Sequence, residues 1–288
     1  MLYKQVAIIG IGQIGASFAL AGKAAGLLGH VVGVARSPET LATAVDIGAA
    51  DATTPDATEA VRGADLVYLA VPVGAMRPVM AQIAPHVAAE CLVTDAGSTK
   101  SRICEWARHM LGDEVAFIGG HPMAGSEKHG PASASADLFA GSTYLLCPGQ
   151  AGEAHLTRLK QLVCGIGGRP LVVEPQRHDQ ILALSSHLAH ISSSALCLAL
   201  SAADPEEVVR FAAGGLRDTT RIAASNVEMW RDILAENAEH ILPAARQLQD
   251  ATGDFITAIE NENWDRVARL LAAAKDFRDR MYPDTETN

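Results

Sequence analysis

The sequence predicts a two-part α/β protein: a parallel sheet wound with helices over residues 1–174, then an all-helical part over residues 175–288. Three observations predict it. Short apolar runs alternate with helical stretches from Gln5 to Val173, a glycine-rich turn joins the first strand to the first helix, and strand signals stop after Pro175. Such alternation is the mark of βαβ units and a parallel sheet.

Gln5 to Ile9 reads as the first strand and leads directly into Gly10-Ile11-Gly12-Gln13-Ile14-Gly15, followed by an Ala-rich helical run to Leu28. Glycines at this spacing allow a tight turn, let a pyrophosphate lie against bare backbone and let the helix pack close to its strand. The helix N-terminus supplies unpaired N–H groups and a positive dipole end to the phosphates. Gly10, Gly12, Gln13, Ile14 and Gly15 are therefore expected to hold a dinucleotide, which makes the first part a Rossmann-type domain.

The second strand, His30 to Ala35, is where an NAD-binding chain usually places an Asp or Glu for the adenosine ribose. Here Ala35-Arg36-Ser37 stands instead. No carboxylate is present to repel a 2′-phosphate, and Arg36 and Ser37 can bind one, so NADP is expected with NAD as the alternative. Ala64 to Val71 reads as a buried central strand, with Val71 at its cofactor end and a helix from about Ala75. Cys91 to Thr94 is the next strand, followed by Asp95-Ala96-Gly97-Ser98-Thr99-Lys100 and a helix from near Thr99. Val115 to Ile118 precedes Gly119-Gly120-His121-Pro122-Met123-Ala124-Gly125-Ser126-Glu127. His121 is thereby expected where strand gives way to loop, on the same sheet edge as Ser98. Thr143 to Cys147 and Arg169 to Val173 complete the sheet.

In the helical part, His187-Leu188-Ala189-His190 puts two imidazoles on one helix face. No glutamate lies between them and no third ligand is evident, so a metal is not expected. Arg217 and Arg221 at i and i+4 present two guanidinium forks to one side, suited to a carboxylate, with Asp218 pointing elsewhere.

Composition narrows the function classes. With 33 acidic against 23 basic residues, a net charge of −10 and no basic block, the chain is a poor partner for nucleic acid or an anionic membrane. Five widely spaced cysteines without a Cys-x-x-Cys point to a reducing cytoplasm. No leader is read at the N-terminus, and no later apolar run is read as approaching membrane-spanning length.

Together these stretches resemble the prephenate/arogenate dehydrogenase family of tyrosine biosynthesis over nearly the whole chain. The resemblance is carried by Gly10 to Gly15, Asp95 to Lys100, Gly120 to Glu127, His187 to His190 and Gly214 to Trp230. It implies that His121 bonds the substrate ring hydroxyl with help from Ser98, that His190 and Arg221 contact substrate, and that Glu127, Arg217 and Asp218 line or gate the pocket. It also implies hydride transfer to NAD(P) with loss of CO2, and a homodimer formed through the Ala/Leu-rich helical half. A β-hydroxy-acid dehydrogenase of the same two-domain plan shares the fingerprint, but the lysine expected early in its helical domain is absent from His187 to Ala199. A dinucleotide-sensing protein has no use for His121, Ser98 and paired arginines.

Overall fold

The apolar runs become β1 (Tyr3–Ile9), β2 (Leu28–Val34), β3 (Ala52–Thr54), β4 (Leu66–Leu69), β5 (Leu92–Asp95), β6 (Ala116–Pro122), β7 (Thr143–Cys147) and β8 (Arg169–Val172). In the computed structural model, which describes residues 1–125, 128–149, 151–202 and 205–282, they form one sheet in the order β3-β2-β1-β4-β5-β6-β7-β8. Among the described residues, only β6 and β7 pair antiparallel. The strand order reverses between β1 and β4, and a crevice opens beyond the carboxyl ends of the strands at such a point.

Helices α1 (Gln13–Ala24), α2 (Pro38–Asp46), α3 (Ala57–Ala60), α4 (Val73–Ile83), α5 (Ser101–Leu111) and α6 (Glu153–Gly165) belong to the sheet half. After β8 come α7 (Pro175–Leu182), a π turn (Ala183–His187), α8 (Leu188–Ser201), α9 (Pro205–Phe211), α10 (Gly214–Thr220), α11 (Val227–Glu236), α12 (Ala238–Glu260) and α13 (Trp264–Met281).

Alternate residues of the central strands serve opposite cores, as a period of two requires. Ile8, Leu66 and Tyr68 join one core, where the Phe18 and Tyr68 rings stack at 3.9 Å. Ala7, Ile9, Val67 and Leu69 join the other with Met76, Met80 and Ile103. With both faces covered, these strands read as unbroken apolar runs. The second core also takes in Ile233 of α11, with Trp230 packed against it, so the helical half is packed onto the sheet half rather than tethered to it. Truncating a side chain buried like Ile233 to alanine costs about 2–5 kcal/mol.

Several elements depart from the sequence reading. α1 ends at Ala24 instead of running to Leu28, because Gly26 adopts φ +67° and the chain turns into β2. β3, α2 and α3 are additional to the elements expected from the sequence; β3 has only three residues, and its Ala-Thr-Thr composition carries no apolar run. β6 continues through Pro122, so Gly119 to Pro122 are strand rather than bend, held by pairing with β7. Ser126 and Glu127 lie outside the described residues. The continuous helical run Pro175–Ser201 is long and apolar enough by composition to cross a bilayer, contrary to the expectation that no run approaches that length. Its buried His178, Asp179, His187 and His190 suit a face packed on protein rather than lipid.

Gly120 shows how closely the two strands before the site approach. A Cβ there would lie 2.4 Å from the Asp95 carbonyl oxygen, which is backbone of β5 and cannot swing away. Gly120→Ala is therefore expected to destabilise the fold by about 1–3 kcal/mol through overpacking, read as a lowered Tm in calorimetry. An unchanged Tm would show that β5 and β6 separate freely.

Candidate active site

The glycine turn is built at the reversal of the strand order. Gly10 N and Ile11 N each donate to Val34 O at 3.0 Å, tying the turn to the end of β2. Gly10 has φ +94°, and a Cβ on it would lie 2.4 Å from Ala70 O and 3.0 Å from the Val71 side chain, so β4's exit presses against the turn. At Gly15 a Cβ would meet Gly10 O at 2.4 Å, which is the close helix–strand packing expected of the third glycine. Gly12 is different: nothing lies within 4 Å of its Cβ position. Gly12 caps α1 with no side-chain hydrogen bond, and the first turn carries no acidic residue. The open N–H groups and dipole end suit a pyrophosphate, so the residues present fit a dinucleotide. Gln13 turns away, its Nε2 donating to Ser133 O at 3.3 Å, while the Ile14 Cδ1 lies 3.9 Å from the Cβ position of Gly125.

Beyond β2, Arg36 is exposed. Ser37 is the N-cap of α2, its Oγ accepting from Thr40 N at 3.3 Å and lying 3.5 Å from Glu39 Oε2. That hydroxyl is already engaged in capping.

On the same edge, β6 carries His121, 8% exposed, and β5 ends at Asp95. The Asp95 carboxylate is wholly buried. It pairs with Lys100, accepts Gly97 N at 2.7 Å and accepts Gly120 N at 2.9 Å. Ser98, half-buried in the same corner, makes no side-chain hydrogen bond to His121 among the described residues. Instead His121 Nδ1 lies 2.8 Å from Nε2 of His178, and His178 Nδ1 lies 2.8 Å from Asp179 Oδ1. Asp179 is itself saturated: Lys100 N donates to Oδ1 at 2.7 Å and Ser101 N to Oδ2 at 2.8 Å. A residue of α7 thus caps the N-terminus of α5 across 78 positions of sequence.

A second polar chain starts from Asp179. Asn237 Nδ2 donates to the Asp179 carbonyl at 2.9 Å and lies 3.1 Å from His187 Nδ1. His187 meets the Trp230 ring edge-on at 5.9 Å, and His190 stacks on it at 3.6 Å. The buried Nδ1 of His190 and Oγ of Ser193 make no hydrogen bond among the described residues. The arginines are arranged otherwise than the sequence suggested. α10 ends at Thr220 and Arg221 opens a 3-10 turn, so no single α-helix face carries both; Arg217 Nε lies 3.9 Å from Asp218 Oδ1, and both side chains are about four-fifths exposed at 84% and 78%. The 3-10 turn and α10 both pack against α8, the helix of His190.

Burial keeps the imidazoles neutral. His121 is held well below its usual value, first by loss of water and then by the neighbouring His178, Lys100 and His187. His178 is lowered by burial despite its bond to Asp179, and His187 is lowered to about 4, mainly by burial. Burial would raise the Asp179 carboxyl, but the bonds from His178, Ser101 and Lys100 hold it below the ordinary carboxylate value. A buried neutral imidazole beside a dinucleotide crevice can take a proton from a substrate hydroxyl. Sequence reasoning missed His178, Asp179, Ser193 and Asn237, and gave Lys100, within the Asp95 to Lys100 stretch, no role of its own. The available signal was a His-Asp pair three residues after Pro175, on what becomes the buried side of α7.

Residues 18–172 match the family described as prephenate dehydrogenase, nucleotide-binding domain, and residues 174–273 match prephenate dehydrogenase, dimerization domain. The chain is 34% identical to a prephenate dehydrogenase of Bacillus subtilis over 95% of its own length and 75% of the relative's. It is likewise 34% identical to a cyclohexadienyl dehydrogenase of Zymomonas mobilis, over 92% and 91%. Its fold is similar to the prephenate dehydrogenase of A. aeolicus in complex with hydroxyphenyl propionate and NAD+, with a TM-score of 0.89, 30% identity and coverage of 96% and 98%.

The buried histidines make stability depend on pH. His187 binds its proton at about 4 when folded and near 6.5 when unfolded, so between those values the unfolded chain holds the extra proton. Its contribution is present above pH 6.5 and is lost as pH falls toward 4, by up to about 1.4 kcal/mol per unit. Tm measured from pH 7 to 4.5 should therefore fall, and fall less steeply in His187→Asn, which keeps an acceptor for Asn237. Parallel Tm curves for the two proteins would assign the acid loss to other groups.

Proposed function

The chain belongs to the prephenate dehydrogenase family and is an NAD(P)-dependent oxidoreductase, and on that premise we propose that His121 is the general base in oxidative decarboxylation of a prephenate- or arogenate-type cyclohexadienyl acid. The observation that carries the assignment of His121 is its position: a buried, neutral imidazole at the carboxyl edge of the sheet, three strands from the glycine turn. Bound nicotinamide supplies the acceptor for the hydride that leaves the hydroxyl-bearing ring carbon. His121 withdraws the hydroxyl proton as that hydride departs, which prevents positive charge from building on the carbon. The ring carboxylate then leaves as CO2, its bonding electrons enter the ring, and aromatisation drives the step; the ring oxygen regains a proton as a phenol. The protein's main task is to orient a dianion against the cofactor.

Gly10, Gly12 and Gly15 with the open end of α1 hold the pyrophosphate in this reading, and Val71 borders the same crevice. His190 is assigned to the substrate, supported by its unpartnered Nδ1, and Arg221 to a substrate carboxylate, supported by the packing of its turn against the helix of His190. Ser98 assists at the ring hydroxyl. Arg217 and Asp218, ion-paired and exposed, are assigned to the rim of the pocket; the role expected of Glu127 falls outside the described residues.

Three measurements test these assignments. His121→Asn should lower kcat on the order of 10²–10⁴-fold with cofactor affinity unchanged; near-normal kcat would remove His121 from the chemistry. Arg221→Lys should raise substrate KM by roughly tenfold or more, because an ammonium cannot reproduce the bidentate fork; a KM within twofold would move the anchor elsewhere. For the cofactor, the missing carboxylate after β2 and the exposed Arg36 favour NADP, while Glu39 and the engaged hydroxyl of Ser37 keep the preference modest. kcat/KM should then favour NADP by about tenfold, the equivalent of ~1.4 kcal/mol, and the preference should vanish in Arg36→Ala. Equal or higher kcat/KM with NAD refutes it.

Assembly is proposed as a homodimer through the helical half. Leu198, Val209, Phe211 and Trp264 stand 62–74% exposed there, apolar surface that a second copy of the chain would cover. Light scattering at micromolar concentration should report twice the 30.2 kDa chain mass, and a monomer would reject the assignment.

A further inference from the structure

We propose that His178 and Asp179 are positioning residues that fix His121 in the tautomer with its lone pair on Nε2, and that they receive the imidazolium N–H when His121 takes the substrate proton. The proposal rests on the reading of His121 as the base and adds the device that makes it one.

The hydrogen-bond pattern forces the assignment. Asp179 Oδ1 is an acceptor only, so the His178 Nδ1 at 2.8 Å must carry the proton. A neutral imidazole has one N–H, so His178 Nε2 is bare and accepts. The Nδ1 of His121, 2.8 Å away, must then be its N–H, which leaves the His121 lone pair on Nε2. The opposite tautomer of His121 would place two bare nitrogens 2.8 Å apart with no proton between them. After proton transfer His121 carries N–H on both nitrogens, and the Nδ1–H still has its acceptor. The first imidazole is thereby held without any change at His178.

The anchor of the chain is rigid. The Asp179 carboxylate is fixed by Lys100 N and Ser101 N at the start of α5, and its carbonyl accepts from Asn237. The other titratable groups facing the two imidazoles are Lys100 and Asp95 from the corner between β5 and α5, and His187 from the π turn. Lys100 and Asp95 neutralise each other, so the Asp179 carboxylate is the unpaired negative charge closest in the hydrogen-bond chain.

Because Asp179 also holds the end of α5, its replacement threatens folding, and His178 is the residue to change. His178→Gln keeps an oxygen acceptor near the position of Nε2, whereas His178→Leu keeps the bulk and removes the acceptor. The Leu variant should lose kcat on the order of 10–100-fold, the usual effect of removing a group that orients another, while the KM for the nicotinamide cofactor stays within twofold. The Gln variant should recover most of that loss. Proximity of His178 lowers His121 only so far as His178 is itself charged; as the neutral acceptor that the tautomer requires, it bonds the imidazolium, so in kcat/KM against pH the acid limb of the Leu variant should move to lower pH and that of the Gln variant should stay in place. The decisive arm is the double variant: in a His121→Asn background, His178→Leu should cost less than twofold, because it acts through His121.

Equal kcat in the Leu and Gln variants, or a Leu effect that persists undiminished in the His121→Asn background, would make His178 a packing residue and overturn the proposal. A Leu variant within twofold of the parent would do the same while leaving the base in place. A His121→Asn enzyme with near-normal kcat would instead sink the reading of the base itself.

Discussion

Asp179 is the residue on which the two halves of the molecule agree. It belongs to α7, yet its carboxylate closes the N-terminus of α5, its Oδ1 meets His178, and its carbonyl takes Asn237 from the start of α12. An anion at a helix N-terminus is favourable both through hydrogen bonds to unpaired N–H groups and through the helix dipole. That local need of α5 is satisfied from the other domain, so α7 has one register on the sheet. Once α7 is placed, His178 faces His121, and the π turn brings His187 and His190 to Trp230. A π turn widens the helix by one residue and so re-aims the side chains beyond it.

The corner between β5 and α5 adds a second fixed point. Asp95 and Lys100 form an ion pair with no exposure to water, an arrangement whose desolvation can consume its Coulombic gain. What it yields here is geometric. Asp95 also accepts the N–H groups of Gly97 and Gly120, so one carboxylate sets the turn after β5 and the position of β6. Removing either partner would strand a buried charge, at about 3–5 kcal/mol. The strand that carries His121 is thus located by charge as well as by its ladder.

The parts legible in the sequence are those whose causes are local. The glycine turn could be read because close approach leaves no other residue type possible at Gly10 and Gly15, where a Cβ would lie 2.4 Å from backbone oxygen. The central strands could be read because both their faces are buried. The short β3 and α3 have too few apolar residues to show a period, and both hang on neighbours that the local sequence does not name. The chain from His121 to Asp179 was invisible for a different reason. Its members are 57 residues apart, and helical spacing says which face a side chain occupies, not what it meets there. The arginines fail the same test in reverse: i and i+4 spacing implied a shared face, but the helix stopped between them.

Burial of His121 sets two demands against each other. Taking an imidazole out of water lowers its affinity for a proton, which keeps it unprotonated and ready at neutral pH but weakens it as a base when the hydroxyl proton must be taken. An exposed histidine would be a stronger base, yet solvated, mobile and able to present either nitrogen. The second imidazole and the carboxylate behind it reconcile the two demands. They leave the resting state neutral, because every hydrogen in the chain already has an acceptor, and they meet the new cation with a bond it already makes. A carboxylate placed directly against His121 would raise its proton affinity and shift it toward the charged form at rest. Interposing the neutral His178 sets that charge one ring further back, close enough to fix the tautomer and far enough to leave the base free to act.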